Sequence, residues 1–383
     1  MHLFLRRLGL VPLLLLGLFQ LPYLRAQPAS TSTSTRPPLL ETGELNGAKF
    51  TLARPAGPVV CNRQLLLIAH GYRDAKAPLV ADLFPDQLAH QTLLAEGWIV
   101  AKTSYRRNGL IIADGLADLD ALRAHIAETH GVPTRVVLEG ESMGGLIVTL
   151  AAERAPALYA GGIGIGAALS IKEPASTLAP SSQPKIPLLF LTNQSELDGP
   201  AAYVATSAAH TAPTLRPVLF RVARDGHVNV NQRERLVALR ALTTWLDSGR
   251  DHLPAPASGA PAYDATVVPA PVPSQITRDP DDRGFTARIT EISSIYGNVF
   301  LNAQPADFAA AGIDPATWFQ LTAHGQTYRT FYGTDFSSVK RGEWVVFPNA
   351  DGYFWLSRNW ENAATTAHLN LGDPVSIHRP DPQ

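Results

Sequence analysis

The chain has 383 residues, 45% of them hydrophobic, with 32 Lys and Arg against 33 Asp and Glu and a formal net charge of −1. That length allows two domains with full cores, and the mixed charge gives neither a basic groove for nucleic acid nor a polybasic membrane patch. A single cysteine, Cys61, excludes an internal disulfide, a thiol framework and a cysteine-based zinc site; no metal and no cofactor is expected.

Arg6 and Arg7 precede an uncharged apolar run from Leu8 to Leu24, and Ala26 offers a small residue at a cleavage point. The pattern reads as a secretory signal over 1–26. The competing reading is an uncleaved anchor, because the run sits at the lower limit of about 17 residues for crossing a bilayer. Pro12, Gly17, Gln20 and Pro22 weaken the anchor reading, so no stable membrane insertion is expected after cleavage. Residues 27–40 begin rich in Ser, Thr and Pro and read as a disordered leader. Export without disulfides predicts a secreted or periplasmic bacterial protein.

The next domain is expected over 41–248. Leu65 to Ala69 reads as a strand running into His70-Gly71-Tyr72. Val136 to Leu138 reads as another, followed by Gly140-Glu141-Ser142-Met143-Gly144 and a helix-like run from Leu146 to Glu153. That is the setting of a nucleophile elbow, in which a serine stands on a sharp strand-to-helix turn and flanking glycines give the turn room. Ser142 is the candidate nucleophile. The oxyanion of acyl transfer needs two backbone N–H donors, and the amides of Met143 and Tyr72 are the candidates. His70 then braces the turn rather than reacting.

Only about fifteen residues separate the strand-like run ending at Leu169 from the next, Ile186 to Leu191. That is too few for a large helical cap and predicts an open site. The loop after Leu191 carries two carboxylates, Glu196 and Asp198. Either can fix the tautomer of a catalytic histidine and stabilise its charged form. Pro217 to Val222 is the next strand-like run, and Arg224-Asp225-Gly226-His227 follows it, ahead of a helix-like segment from Gln232 to Asp247. His227 is the candidate base, on a loop at a strand end and in the chain order serine, acid, histidine. His90, His125, His130 and His210 lie on or beside helix-like segments.

Residues 249–283 contain Pro254, Pro256, Pro261, Pro269, Pro271 and Pro273 among Ala, Ser and Val, as an extended linker does. From 284 to 383, alternating and aromatic runs such as Phe285 to Ile292, Thr327 to Phe331, Trp344 to Phe347 and Tyr353 to Leu356 are separated by Gly, Asn and Asp turns. They predict a small all-β barrel or sandwich.

His70-Gly71-Tyr72, Ser104-Tyr105-Arg106 followed by Asn108-Gly109, the Ser142 elbow and Asp225-Gly226-His227 together resemble the α/β-hydrolase superfamily over about 60–248, and within it secreted esterases and the prolyl oligopeptidase-like branch. The resemblance implies an α/β fold and, counting from the strand end, an orienting acid at Glu196, with Asp198 two residues later as the alternative. It also implies that Tyr72, Tyr105 and Arg106 lie near the mouth, where Arg106 would meet an acidic substrate group or be held in a salt bridge.

The last domain resembles the C-terminal β-domain of the S-adenosylmethionine hydroxide adenosyltransferases, the family that includes the fluorinases. The resemblance rests on Ile295-Tyr296-Gly297-Asn298-Val299-Phe300-Leu301-Asn302, Thr327-Tyr328, Gly352-Tyr353, Asn362-Ala363-Ala364 and Leu371-Gly372-Asp373-Pro374-Val375. Ser294 stands where that family usually has Asp, Tyr296 where it has Phe, and Leu301 where it often has Thr. In that family the Asn-Ala-Ala backbone helps hold adenine and an asparagine at the place of Asn302 belongs to the ligand region. Its other domain is replaced here by the hydrolase, so adenosyl chemistry is not implied. Trimers in that family make a homo-oligomer through this domain an expectation.

The combined expectation is a secreted serine hydrolase that cleaves a small or polymer-derived carboxylic ester through an acyl-enzyme. Esters are expected over amides because they need less leaving-group activation and because no propeller or cap restricts peptides. The alternatives are a serine exopeptidase and a non-catalytic binding protein that works through its β-domain.

Overall fold

The computed structural model describes residues 36–174, 177–253, 262–269, 273–293 and 296–379. The expected signal at 1–26, most of the expected leader, and Ser294 lie outside the described residues. Among the described residues no helix is long and apolar enough to cross a membrane.

The first domain is built on a nine-stranded sheet. Its elements in chain order are β1 (Leu39–Leu45), β2 (Ala48–Arg54), β3 (Gln64–Ala69), α1 (Leu88–Ala95), β4 (Ile99–Thr103), α2 (Ile112–His130), β5 (Arg135–Glu141), α3 (Met143–Arg154), β6 (Gly161–Ile165), β7 (Leu188–Asn193), α4 (Asp198–Ser207), β8 (Val218–Val222), α5 (Gln232–Ser248) and β9 (Tyr263–Asp264). The strand order is β1-β2-β4-β3-β5-β6-β7-β8-β9. β1, β2 and β4 pair antiparallel, and every pairing from β4 onward is parallel. This is the α/β-hydrolase fold. β1 takes in the last two residues of the expected leader, and β9 lies inside the segment expected as linker.

Both faces of the sheet are covered, which is why its strands read as apolar runs rather than as alternation. Along β3 the pleat sends Leu65, Leu67 and Ala69 to one face, where Leu119 and Leu122 of α2, Leu146 and Leu150 of α3 and Tyr203 of α4 pack. Leu66 and Ile68 go to the other, against Leu93 of α1 and Leu239, Leu242 and Trp245 of α5. The carboxyl ends of the parallel strands point to one edge, the edge where open α/β sheets bind ligands.

The second domain comprises β10 (Thr277–Arg278), β11 (Gly284–Ile292), β12 (Val299–Leu301), α6 (Pro305–Ala310), β13 (Trp318–Ala323), β14 (Gln326–Tyr332), β15 (Trp344–Pro348), β16 (Phe354–Arg358), α7 (Ala363–Thr366) and β17 (Pro374–His378). Seven strands close in the order β11-β12-β16-β15-β14-β13-β17, with β17 pairing back onto β11 and β10 added outside β11. Of the two all-β forms expected, the structure is thus the barrel. Closure removes the exposed edges that an open sheet would leave. Phe308 of α6 fills the interior, its ring 4.4 Å from that of Phe354, 5.1 Å from Phe285 and 5.7 Å from Phe319.

The domains meet at the start of α5. The side-chain oxygen of Asn231 caps that helix by accepting from the Arg233 and Glu234 amides. Its Nδ2 donates to Val267 O at 2.8 Å and to Ala350 O, in the β15–β16 turn, at 3.3 Å. One buried residue therefore ties the helix after His227 to the linker and to the barrel.

Candidate active site

Ser142 stands between β5 and α3 at φ 54°, ψ −115°, a backbone region that non-glycine residues rarely occupy. The surrounding chain enforces it. The Ser142 amide donates to Ile165 O at 2.9 Å, and its carbonyl accepts from the amides of Ala168 and Leu146 at 3.1 and 3.2 Å. The two flanking glycines are there for close approach: a Cβ on Gly140 would run into the Gly144 carbonyl oxygen, and one on Gly144 into that of Ala69. Because the obstacle is backbone, Gly144→Ala is expected to cost about 3 kcal/mol or more. Chemical denaturation reads this, and an unchanged midpoint would contradict it.

The Ser142 Oγ lies 2.8 Å from Nε2 of His227, and Nδ1 of His227 lies 2.6 Å from Oε2 of Glu196. An ionised carboxylate only accepts, so Nδ1 carries the proton and Nε2 is left to accept from the serine hydroxyl. The other carboxylate oxygen, Oε1, accepts the Val228 amide at 3.1 Å. Val228 is a β-branched residue at φ 55°, a strained conformation held where its N–H can reach Glu196. Burial works against protonation of His227, but the hydrogen bond and charge of Glu196, followed by the charges of Glu141 and Asp335, outweigh it and raise its pKa.

The acid loop and the histidine loop are fastened to each other by residues the sequence did not single out. The buried Asn193 accepts the Asn229 amide and donates to the carbonyls of Arg224 and Asn229 at 2.8–3.1 Å. Ser195 Oγ accepts from the Gly226 amide at 2.9 Å and donates to its carbonyl at 3.2 Å. The histidine loop is also held to α5, where Arg224 forms a two-pronged pair with the buried Glu234, both contacts at 3.0 Å. Polar side chains in loops carry no periodicity, so only an expectation that the two loops touch would have found them. Asp198, the other carboxylate of the acid loop, is exposed in the first turn of α4, and no described contact joins it to His227.

The turn that carries Tyr72 runs against the elbow: a Cβ built on Gly71 would lie 3.3 Å from Cβ of Ser142 and 3.1 Å from Glu141 O. Met143 is buried as the first residue of α3. His70 is buried with Nδ1 2.7 Å from Gly71 O and Nε2 3.0 Å from Ser104 O. Burial, reinforced by Arg73 and Lys102, lowers its pKa to about 3, which keeps it neutral, and its single N–H braces the turn by donating to one of the two carbonyls.

The mouth differs from expectation at Tyr105 and in what borders it, and the structure selects between the two expected roles of Arg106. Tyr105 is fully buried; its φ of 56° turns the ring inward, and its hydroxyl donates to His70 O at 3.2 Å. It supports the turn from behind and cannot touch a substrate. Arg106 is held by Asp118 of α2, whose Oδ1 accepts from Nε at 2.9 Å and also from Nη2, while Oδ2 accepts the Arg106 amide at 2.8 Å. Of its two expected roles the structure has the salt bridge. The site is also bordered by the barrel, which the short lid alone does not predict. The Tyr296 hydroxyl donates to Tyr72 O at 3.4 Å, the Trp360 ring meets the Tyr72 ring edge-on at 5.6 Å, and Asp335 is close enough to His227 for its charge to act on it.

The polar groups that would hold adenine by resemblance are used inside the barrel. Asn302 accepts the Arg288 amide at 2.7 Å and donates to Gln275 O at 3.1 Å. Asn362 accepts the Thr365 amide at 2.8 Å, and the Ala364 amide donates to Gly297 O at 3.0 Å.

Residues 112–217 match the family model described as serine aminopeptidase, S33, and residues 293–376 match that of the SAM hydroxide adenosyltransferase C-terminal domain. No curated protein matches the chain. Among solved structures it is similar to an uncharacterized conserved protein from Thermotoga maritima (18% identity, 27% of this chain and 39% of that one, TM-score 0.26). It is also similar to the acylaminoacyl peptidase of Pyrococcus horikoshii (11%, 58% and 43%, TM-score 0.42) and to dipeptidyl peptidase 4 of Porphyromonas gingivalis (16%, 46% and 31%, TM-score 0.37). The chain spans less than half the length of each of these three.

Proposed function

From an α/β-hydrolase domain with a serine at its elbow and a β-barrel bordering its cleft, we propose that the protein is a serine hydrolase of short acyl substrates, acting as an exopeptidase and accepting esters of the same acyl groups. The observation that carries the reading is the hydrogen-bonded chain from Ser142 through His227 to Glu196. In the proposed cycle His227 Nε2 takes the hydroxyl proton as Ser142 Oγ attacks the carbonyl. The Met143 and Tyr72 amides receive the oxyanion. His227 then gives the proton to the departing amine or alkoxide, and water, activated by the same nitrogen, releases the acyl group. Glu196 keeps the imidazole in the working tautomer and offsets its charge.

The preference for esters expected from sequence rested on their lesser need for leaving-group activation, which still stands, and on the absence of anything to restrict peptides. With the barrel at the mouth the second argument no longer favours esters, and the match to the serine aminopeptidase model supports a peptide substrate. Rates on an aminoacyl-nitroanilide, its N-acetylated form and a short nitrophenyl ester test this. Turnover of the free aminoacyl-nitroanilide is expected, with poor cleavage of internal bonds in long peptides. Turnover of esters alone would return the reading to an esterase, and none on either class would favour a binding protein. Export with removal of 1–26 belongs to the same proposal, and N-terminal sequencing of the secreted product checks it.

A further inference from the structure

Two large aromatic side chains of the barrel are exposed where the domains meet, Tyr296 at 45% and Trp360 at 63%. Side chains of this size are mostly buried in folded proteins. Trp360 also has φ 62°, a conformation unfavourable for a bulky residue. Both converge on one residue of the other domain, Tyr72, the hydroxyl of Tyr296 on its carbonyl and the ring of Trp360 on its ring. Tyr72 follows Gly71, where a Cβ would lie 3.3 Å from Cβ of Ser142. We propose that the barrel completes the active site: Tyr296 is a positioning residue that fixes the Tyr72 turn, and Trp360 with Tyr72 forms the wall of a subsite for an aromatic or apolar substrate group beside the scissile carbonyl.

The chemistry of each position fits its part. Although the residue as a whole is 45% exposed, loss of water around the phenol oxygen where the domains meet pushes its pKa above the ordinary range, with Arg73 opposing the effect and Glu141 adding to it, so the group stays a neutral donor. Anchoring the Tyr72 carbonyl fixes the peptide that follows the proposed oxyanion amide, and small displacements of such donors are costly to the rate. At Trp360, Arg341 lies 5.8 Å from the ring centroid and Tyr72 takes an edge. The rest of the indole faces solvent, and covering it with an apolar group is favourable.

The inference rests on the serine hydrolase reading for its kinetic part and is independent of it for its binding part. In the full chain, Tyr296→Phe is expected to lower kcat about tenfold with KM within about twofold, the mark of a positioning residue. Trp360→Ala is expected to raise KM about tenfold for a 3-phenylpropionyl substrate and by a clearly smaller factor for an acetyl one, with Trp360→Phe restoring most of the loss. In parallel, calorimetric binding of 3-phenylpropionamide to the Ser142→Ala chain should weaken about tenfold on adding Trp360→Ala and recover with Trp360→Phe. Binding that responds in this way supports the subsite even where no turnover is found, so failure of the hydrolase reading stays distinguishable. Equal binding by all three chains, or unchanged kinetics in Tyr296→Phe and Trp360→Ala, overturns the inference.

Discussion

Ser142→Ala is expected to lower kcat by about 10⁶-fold on whichever substrate the wild-type protein turns over best, because members of a coupled nucleophile and base act as a unit. The melting temperature should change little. The hydroxyl's described side-chain partner is His227 Nε2 at 2.8 Å, and the His227 side chain is 48% exposed, so water replaces the lost contact. The strained elbow is held by backbone hydrogen bonds that alanine keeps. Matched progress curves and melting scans check both halves. A variant retaining a tenth of the activity would remove Ser142 from the reaction.

Glu196→Gln is the second large effect, expected at about 10⁴-fold in kcat, since an amide partner no longer enforces the tautomer that leaves Nε2 free to accept. The pH dependence carries a further signature. As a base, His227 must be neutral, so the acid limb of the kcat/KM profile follows its pKa, which Glu196 raises together with Glu141 and Asp335. Removing the carboxylate lowers that pKa, so the limb moves to lower pH while the plateau falls. Asp198→Asn, an exposed change at the start of α4, should leave kcat within about twofold and the profile in place. A larger effect at Asp198 than at Glu196 in the pH–rate profiles would reverse the assignment.

The three side chains that the structure brings together, Ser142, His227 and Glu196, were legible in sequence because each sits on a short strand-to-loop transition with its own local signature. Gly140 and Gly144 bracket the elbow, an apolar strand precedes the acid loop, and His227 lies between the runs that become β8 and α5. The barrel was legible as an all-β domain from turn spacing and aromatic alternation. The mouth was not. Tyr105 and Arg106 follow one another after β4, and nothing local says that a positive φ turns one ring into the core or that Asp118 on α2 claims the other side chain. The contacts of Tyr296 and Trp360 with Tyr72 join residues from two domains, and their proximity follows from how the barrel docks on the Asn231 cap. The strain at Val228 and the fastening by Asn193 likewise come from the meeting of two loops rather than from either alone.

The central claim, an activated Ser142 at the centre of the site, is tested most directly by treating the full chain with a fluorophosphonate and mapping the adduct by mass spectrometry beside His227→Ala. A single adduct on the peptide carrying Ser142, formed quickly in the wild type and far more slowly without His227, is the predicted result. An adduct on another residue, or equal labelling with and without His227, would contradict it.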